Sequence, residues 1–157
     1  MRNDPSRLAQ LRRFLILDSS AERAFDDITR LLSTHLEMPI AIVNFLDADR
    51  DWFKSCFGLP HTESPAVTSF CEAFFNTTDD VIVVEDTTSD PRFAGHPLVV
   101  GAPFIRCYAA ARLAIDGHTL GTLCAYDVQP RKISTDQVRQ LQMLAGAAVE
   151  LIRQRAA

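Results

Sequence analysis

The stretch that decides the fold is residues 104–127, FIRCYAAARLAIDGHTLGTLCAYD. Two apolar runs flank Asp116-Gly117, a dipeptide that favours the tight turn of a β-hairpin. Because residues two apart share a face of a strand, Arg106 and Tyr108 are predicted to stand side by side on the sheet. A cation beside a phenol on an otherwise apolar sheet indicates a surface that meets a small polar molecule.

Further strands are predicted on the N-terminal side of this hairpin. Residues 40–46 form an apolar run typical of a central strand, and residues 51–57 form the strand that returns from it. Residues 81–85 are a third apolar run. Two prolines make residues 59–68 a predicted loop, and the polar residues 86–103 form a long connection of the kind that is often functional.

Helices are predicted at both ends of the chain. Ser19 with Glu22, and Ser134 with Gln137, have the spacing of a capping box at a helix N-terminus. Apolar residues recur at helical spacing after each pair. A short helix is predicted over residues 69–77.

This order of elements predicts an α+β fold with an antiparallel sheet of five or six strands. The terminal helices are expected to cover one face of the sheet. The short helix and the long loop are expected to cover the other.

Composition narrows the functional classes. The chain has 157 residues, of which 47% are hydrophobic and 23% charged, so one domain with a packed core is expected. The formal net charge of −4 argues against a nucleic-acid partner. No apolar run has the length of a membrane span and no secretory signal is evident, so a cytoplasmic location is expected. The cysteines and histidines lack metal-ligand spacing, and neither a metal site nor a disulfide framework is predicted.

The chain resembles the GAF domains of bacterial sensor kinases and cyclic-dinucleotide enzymes. The resemblance is carried by an ordered set of motifs: Leu17-Asp18, Phe25-Asp26, Ile40 to Asp47, Trp52-Phe53-Lys54-Ser55, Ser69-Phe70-Cys71, Asp86 to Phe93, Ile105-Arg106-Cys107-Tyr108 and Leu120-Gly121-Thr122-Leu123-Cys124. It covers residues 7–153 of a single predicted domain, 1–157.

The resemblance implies a six-stranded antiparallel sheet and a small-molecule pocket between the sheet and the loops on one face. It implies a homodimer that signals through its terminal helices to an output domain, such as a histidine kinase or a cyclic-dinucleotide enzyme. It leaves the ligand and any cofactor unspecified, because one fold serves many ligands. The candidate ligand-binding residues are Phe70, Cys71, Asp86, Arg92, Phe93, Arg106, Tyr108, Thr122 and Cys124.

Several of these candidates also have a purely structural interpretation. Arg106 can pair with a nearby carboxylate, and Arg92 can bridge to Asp86. Asp90 can cap a short helix that Pro91 begins. Cys71 is either a reactive thiol at a helix N-terminus or a small buried hydrophobe.

Two rival functions stay open beside a non-enzymatic sensory domain. The first is a thiol enzyme resembling the free methionine sulfoxide reductases, with Cys71 and Cys124 as its thiols. The second is a dimerisation scaffold whose pocket is filled by Phe74 and Phe75. Many relatives read Phe-Cys-x-His in the short helix, where this chain has Phe70-Cys71-Glu72-Ala73, and this departure argues against metal, haem or base chemistry there.

Overall fold

The computed structural model describes residues 1–155 as a six-stranded antiparallel sheet covered on both faces. The strands are β1 (Ile40–Leu46), β2 (Arg50–Phe57), β3 (Glu63–Pro65), β4 (Val81–Val84), β5 (Cys107–Ile115) and β6 (His118–Asp127). Their order across the sheet is β3-β2-β1-β6-β5-β4. This is the predicted α+β architecture. The last two residues of the predicted domain lie outside the described part of the chain.

Four α-helices and three short 3₁₀ segments accompany the sheet. The α-helices are α1 (Pro5–Arg13), α2 (Arg23–Leu36), α3 (Pro97–Val100) and α4 (Thr135–Gln154). The 3₁₀ segments are Ala66–Thr68, Phe70–Asn76 and Thr87–Ser89. The terminal helices cover one face of the sheet, as predicted. The 3₁₀ segments, α3 and the connecting loops cover the opposite face, called the loop face below.

The helix-covered face buries the larger core. Helix α2 contributes its apolar stripe, including Phe25 and Leu32, and α4 contributes Leu141 and Ile152. They pack on alternate residues of the strands, such as Phe45. Removing these side chains from water is the main force that holds the terminal helices to the sheet.

Strand β1 is buried along its whole length because both of its faces are covered. Asn44 is its one polar residue, and it faces the loop side with only 1% of its surface exposed. Gly121 of β6 approaches the Asn44 carbonyl so closely that an added Cβ would lie 2.0 Å from the oxygen. Glycine therefore permits the close β1–β6 approach that holds Asn44 in place.

The structure departs from the sequence prediction in three places. No helix begins at Pro91, because residues 91–95 form a turn in which the Arg92 backbone N–H donates to the Asp90 carboxylate at 2.8 Å. Residues 63–65, expected in a loop, add strand β3 to the edge of β2. Helix α2 begins after Glu22 without the predicted capping box. The Glu22 carboxylate instead pairs with the buried Lys54 ammonium at 2.7 Å and with Arg155 at 2.5 Å. A carboxylate engaged with two cations is not free to cap its own helix.

Within the described residues, no helix combines the length and the apolar character needed to cross a membrane.

Candidate functional site

A cavity of about 560 Å³ opens on the loop face, over β1 and β2. Its walls come from these strands, from residues 59–70 and from residues 98–105. Most of the lining is apolar and includes three aromatic rings: Ile40, Ile42, Phe53, Leu59, Pro65, Phe70, Leu98, Ala102, Pro103, Ile105 and Tyr126. An apolar concave surface of this volume is typical of small-molecule sites.

One end of the cavity is polar and buried. Asn44, Asp51 and Ser69 line it, and each is at most 9% exposed. Asn44 Nδ2 donates to Asp51 Oδ2 at 3.1 Å, whereas Asn44 Oδ1 has no hydrogen-bond partner among residues 1–155. Ser69 Oγ likewise forms no hydrogen bond of good geometry within that range. Buried polar atoms without partners are rare in folded proteins and often mark a place for a ligand or a water.

The Asp51 carboxylate is held by the N-terminal segment of the chain. Arg2, itself only 6% exposed, places its Nη2 atom 2.9 Å from Asp51 Oδ1. Its Nε atom donates to Glu72 at 2.8 Å, and its Nη1 atom donates to the carbonyl of Asp47 at 2.8 Å. Burial raises the pKa of the Asp51 carboxyl above its ordinary value, although Ser69 and the Arg2 charge act against that shift.

Arg7 extends this anchoring into α1. Its guanidinium donates to the carbonyl oxygens of Arg2, Leu46 and Thr119. Burial, with the nearby Arg2 charge, lowers the pKa of Arg7 to about 10. Two arginines thus join the beginning of α1 to the sheet beside the polar end of the cavity.

Behind this polar end lies a buried thiol cluster. Cys71 Sγ is 3.0 Å from both the Tyr108 hydroxyl and the Thr122 hydroxyl, and it lies beside Cys124. Burial raises the pKa of Cys124 well above its ordinary value. Burial also opposes ionisation of Cys71, but hydrogen bonds from Cys124, Thr122 and Tyr108 outweigh it and lower the Cys71 pKa. Cys71 is therefore the first of the two thiols to lose its proton, but it has no exposed surface.

The rest of the loop face, over β4 and β5, is filled by aromatic rings. Phe70 stacks on Phe93 and on His96, with centroid distances of 5.2 and 4.2 Å. Tyr108 lies 5.2 Å from Phe70 and 5.2 Å from Tyr126, and it is fully buried. None of the residues that line the cavity belongs to β5.

The arginines of this region are paired with acids. Arg106 precedes β5, and its guanidinium lies 3.1 to 3.3 Å from the Asp86 carboxylate. This contact and the Thr88 hydrogen bonds lower the pKa of Asp86 to about 2. Arg92 pairs with Asp90 at 2.8 Å. Arg106 and Tyr108 therefore do not form the predicted binding surface together, because the phenol is buried while the half-buried guanidinium contacts a carboxylate.

The structure separates the predicted site residues into two groups. The first group is buried in the core of the loop face, where thiols, hydroxyls and aromatic rings pack together. Its members are Phe70, Cys71, Phe93, Tyr108, Thr122 and Cys124. The second group forms ion pairs near the surface and consists of Asp86, Arg92 and Arg106. Phe70 alone of the nine lines the cavity. Ligand binding by the others stays a prediction.

Sequence reasoning missed the polar end of the cavity. One signal for it was present, since Asn44 interrupts an otherwise apolar strand, IAIVNFL. An amide in the middle of a buried strand needs partners or a function. The pairing of Arg2 with Asp51 has no comparable signal, because 49 residues separate them in the sequence.

No group of three or more histidine, cysteine, aspartate or glutamate side chains among the described residues could hold a metal ion.

Comparison with known proteins agrees with this architecture. The GAF domain family model matches residues 20–151. A cyclic di-GMP phosphodiesterase of Pseudomonas aeruginosa is 38% identical over 130 residues, which are 82% of this chain and 22% of that protein. This chain therefore corresponds to about a fifth of that relative's length.

Solved structures with the same fold include domains of different activity. The GAF domain of an Acinetobacter phosphoenolpyruvate-protein phosphotransferase superposes with a TM-score of 0.67 at 16% identity, covering 96% of this chain and 95% of that one. The free methionine-R-sulfoxide reductase of Neisseria meningitidis superposes with a TM-score of 0.62 at 17% identity, covering 95% and 87%. At these identities the likeness concerns the fold alone. With the match over residues 20–151 and the shared sheet topology, the chain belongs to the GAF domain family.

Proposed function

We propose that this chain is a regulatory domain of bacterial signal transduction that binds a small molecule and has no catalytic activity of its own. The observation that carries the proposal is the cavity of about 560 Å³ with unpartnered polar atoms at its buried end. The relation to a cyclic di-GMP phosphodiesterase supports a signalling role.

A non-enzymatic role is supported by the make-up of the cavity lining. Catalysis by a nucleophile needs that group and its base within reach of the substrate. The thiol of Cys71 lies behind the cavity lining and has no exposed surface. Ser69 lines the cavity, and its neighbouring acid Asp51 is engaged by Arg2 and Asn44.

We propose that the N-terminal segment transmits the state of the cavity. Asp51 lines the cavity and also holds Arg2, and the Arg2 carbonyl in turn accepts hydrogen bonds from Arg7 in α1. A ligand that shifts the Asn44–Asp51 pair changes the partner of a buried cation. Since that cation anchors α1, occupancy of the cavity is coupled to a terminal helix.

The terminal helices are also the proposed route to partners. Apolar side chains on their outer surface include Leu31 of α2, which is 46% exposed, and Met143 of α4, which is 63% exposed. We propose that they contribute to a cytoplasmic homodimer that acts on an output domain such as a histidine kinase or a cyclic-dinucleotide enzyme. Size-exclusion chromatography with light scattering tests the dimer, with Met143→Glu expected to give a monomer.

The test of ligand binding combines native mass spectrometry with a thermal-shift screen of small metabolites. We expect a released extra mass, or a compound that raises the melting temperature, in the unmodified protein. Ser69→Phe and Leu98→Trp place a ring in the cavity and are expected to abolish the effect. Arg139→Gln, on the exposed surface of α4 and so on the opposite face of the sheet, is the control and keeps the effect. A shift that survives both ring substitutions, or no hit in the screen, contradicts the proposal.

A thiol-dependent methionine sulfoxide reductase is the second candidate, favoured by the contact of Cys71 with Cys124 and by the shared fold. Both thiols are fully buried, which argues against it. We expect only Cys56, the partly exposed thiol, to react quickly with a thiol reagent under native conditions. Methionine sulfoxide reduction with thioredoxin and NADPH that is lost in Cys71→Ser would establish the enzyme.

The filled-scaffold alternative receives no support from Phe74 and Phe75. The Phe74 ring lies 5.1 Å from the Arg112 guanidinium, and the Phe75 ring lies near Arg2 and Arg7. Both rings support the N-terminal and edge contacts of the sheet and do not line the cavity over β1 and β2.

A further inference from the structure

We infer that the cavity selects an uncharged or cationic aromatic molecule whose inner end carries an N–H or O–H donor, and that it rejects anions. The inference rests on the proposed function, because it names the class of ligand for the same cavity. It is carried by three independent properties of the lining: its charges, its unpartnered acceptors and its aromatic walls.

The charge of the lining disfavours an anion. The residues that line the cavity include the acids Asp51 and Glu63 and contain no lysine or arginine. The nearest buried cation, Arg2, is already paired with Asp51 and Glu72. A phosphate or carboxylate at the inner end would lose its water and meet a carboxylate without gaining a counter-charge.

The second nearby cation is occupied as well. Arg50 is the first residue of β2 and pairs with Asp18, Asp47 and Glu63 at 2.8 to 3.1 Å. Three carboxylates around one guanidinium leave no free positive charge for a ligand. Among the residues that line the cavity, the one basic side chain is that of His61, which is exposed.

The hydrogen-bonding requirement follows from Asn44. Its Nδ2 atom donates to the Asp51 carboxylate, and this contact determines the orientation of the amide, since a flipped amide would turn its oxygen to an anion. Asn44 Oδ1 is then an acceptor without a donor, buried at the end of an apolar cavity. Ser69 Oγ adds a second group able to accept. A ligand that presents an N–H or O–H group satisfies them, whereas an apolar end leaves them unpaired at a cost of about 1–3 kcal/mol in similar sites.

The walls of the cavity indicate which kind of ring system the ligand carries. Phe53, Phe70 and Tyr126 contribute rings, and Ile42 and Leu98 contribute aliphatic surface. Flat apolar surfaces of this kind favour an aromatic ligand. A cavity of about 560 Å³ accommodates a bicyclic ring system with a short substituent.

Three matched bicyclic probes test the inference: 2-aminoquinoline, 2-methylquinoline and quinoline-2-carboxylate. They share a ring system and differ in carrying a donor, an apolar group or an anion. Binding is measured by isothermal titration calorimetry with the full chain at one alkaline pH, at which the ring nitrogens of the probes are unprotonated and the amine and methyl probes are both uncharged. We expect 2-aminoquinoline to bind about tenfold more tightly than 2-methylquinoline, the effect of one hydrogen bond of about 1.4 kcal/mol, and the carboxylate not to bind.

Two variants tie the preference to the named atoms. Asn44→Leu removes the acceptor and is expected to equalise the amine and methyl probes. Ser69→Ala, which leaves the Asn44–Asp51 contact in place, covers the case that Asn44→Leu does not fold, and it is expected to narrow the preference. Arg139→Gln, on the exposed surface of α4, serves as the control and retains the full preference.

The outcomes separate this inference from the proposed function. Equal binding of the amine and methyl probes, or tighter binding of the carboxylate, overturns the ligand class while leaving a cavity that binds small molecules. Failure of all three probes to bind also overturns it, and the proposed function is then judged by the metabolite screen and the ring-insertion variants. Only the donor preference together with its loss in Asn44→Leu or Ser69→Ala supports the inference.

Discussion

The loop face of the sheet has two halves that use the same strands in opposite ways. The open half, over β1 and β2, holds the cavity with Asn44 and Asp51 at its end. The filled half, over β4 and β5, is packed with the rings of Phe93 and Tyr108. Phe70 and Tyr126 stand between the halves and touch both.

The difference teaches where binding capacity resides in this domain. The filled half satisfies its own groups, because its thiols contact hydroxyls and its arginines contact acids. The open half leaves buried polar atoms without hydrogen-bond partners beside empty apolar volume. Function is therefore expected where packing and hydrogen bonding are both incomplete.

The largest difference between the halves is expected when one aromatic ring in each half is replaced by alanine. Phe93 is 2% exposed and packed on its neighbours, so Phe93→Ala is expected to lower the free energy of unfolding by about 3–5 kcal/mol. Phe53 is half-buried beside the cavity, so Phe53→Ala is expected to cost about 1–2 kcal/mol. Urea unfolding followed by circular dichroism gives both values. Equal losses would mean that the two halves are equally well packed.

The second-largest loss of stability is expected when the buried ion pair at the end of the open half is broken. Arg2→Met leaves Asp51 without its buried counter-charge and should destabilise the protein by about 3 kcal/mol. The double variant Arg2→Met/Asp51→Asn should recover part of this loss, because no charge is then left unpaired. Full additivity of the two single changes in a double-mutant cycle would refute the coupling of the N-terminus to the cavity.

Larger side chains are also expected to affect the stability of the two halves differently, but by less than the changes above. Ala110 is fully buried in the filled half, so Ala110→Val is expected to cost about 1–3 kcal/mol. Ser69→Val extends into the cavity and removes an unpartnered hydroxyl, so its cost should be below about 1 kcal/mol. Thermal unfolding of both variants measures the difference. A larger cost for Ser69→Val would show that the cavity closes in solution.

The smallest effect concerns the ion pair at the edge of the filled half. The Arg106 contact lowers the pKa of Asp86 to about 2, so the pair stabilises the fold above the ordinary aspartate pKa. This contribution is lost as the pH falls from about 4 toward about 2. The stability difference between the unmodified protein and Asp86→Asn should therefore shrink when urea unfolding is repeated at pH 5 and at pH 3. A difference that is constant over this range would contradict the pairing.

Local sequence signals were accurate where the partners are close in the chain. The capping box of Ser134 and Gln137 is present, with both reciprocal hydrogen bonds formed. The same pattern at Ser19 and Glu22 failed, because Glu22 pairs with Lys54 and Arg155, which are distant in sequence. One spacing rule thus gave one correct and one incorrect helix start, and long-range charge pairing made the difference.

The candidate site was harder to predict than the fold. Alternation along β5 correctly places Tyr108 on the loop face, but whether that face is open depends on the rings of Phe70 and Phe93. Arg106 is the most conspicuous candidate in the sequence, but its guanidinium forms an ion pair with Asp86, twenty residues earlier. The cavity residues Asn44 and Asp51 lie seven residues apart, on neighbouring strands. Only the register of β1 against β2 shows that both side chains meet at the same end of the cavity.

By itself, the sequence determined five of the six strands, the long helices near the two ends of the chain, the α+β class and the family. Apolar periodicity and turn residues act over a few neighbours, so their consequences can be read along the chain. Only the tertiary structure decided which half of the loop face is filled, which cations are already paired, and that Arg2 reaches Asp51. These outcomes depend on volumes and charges brought together from distant segments, which no local pattern encodes.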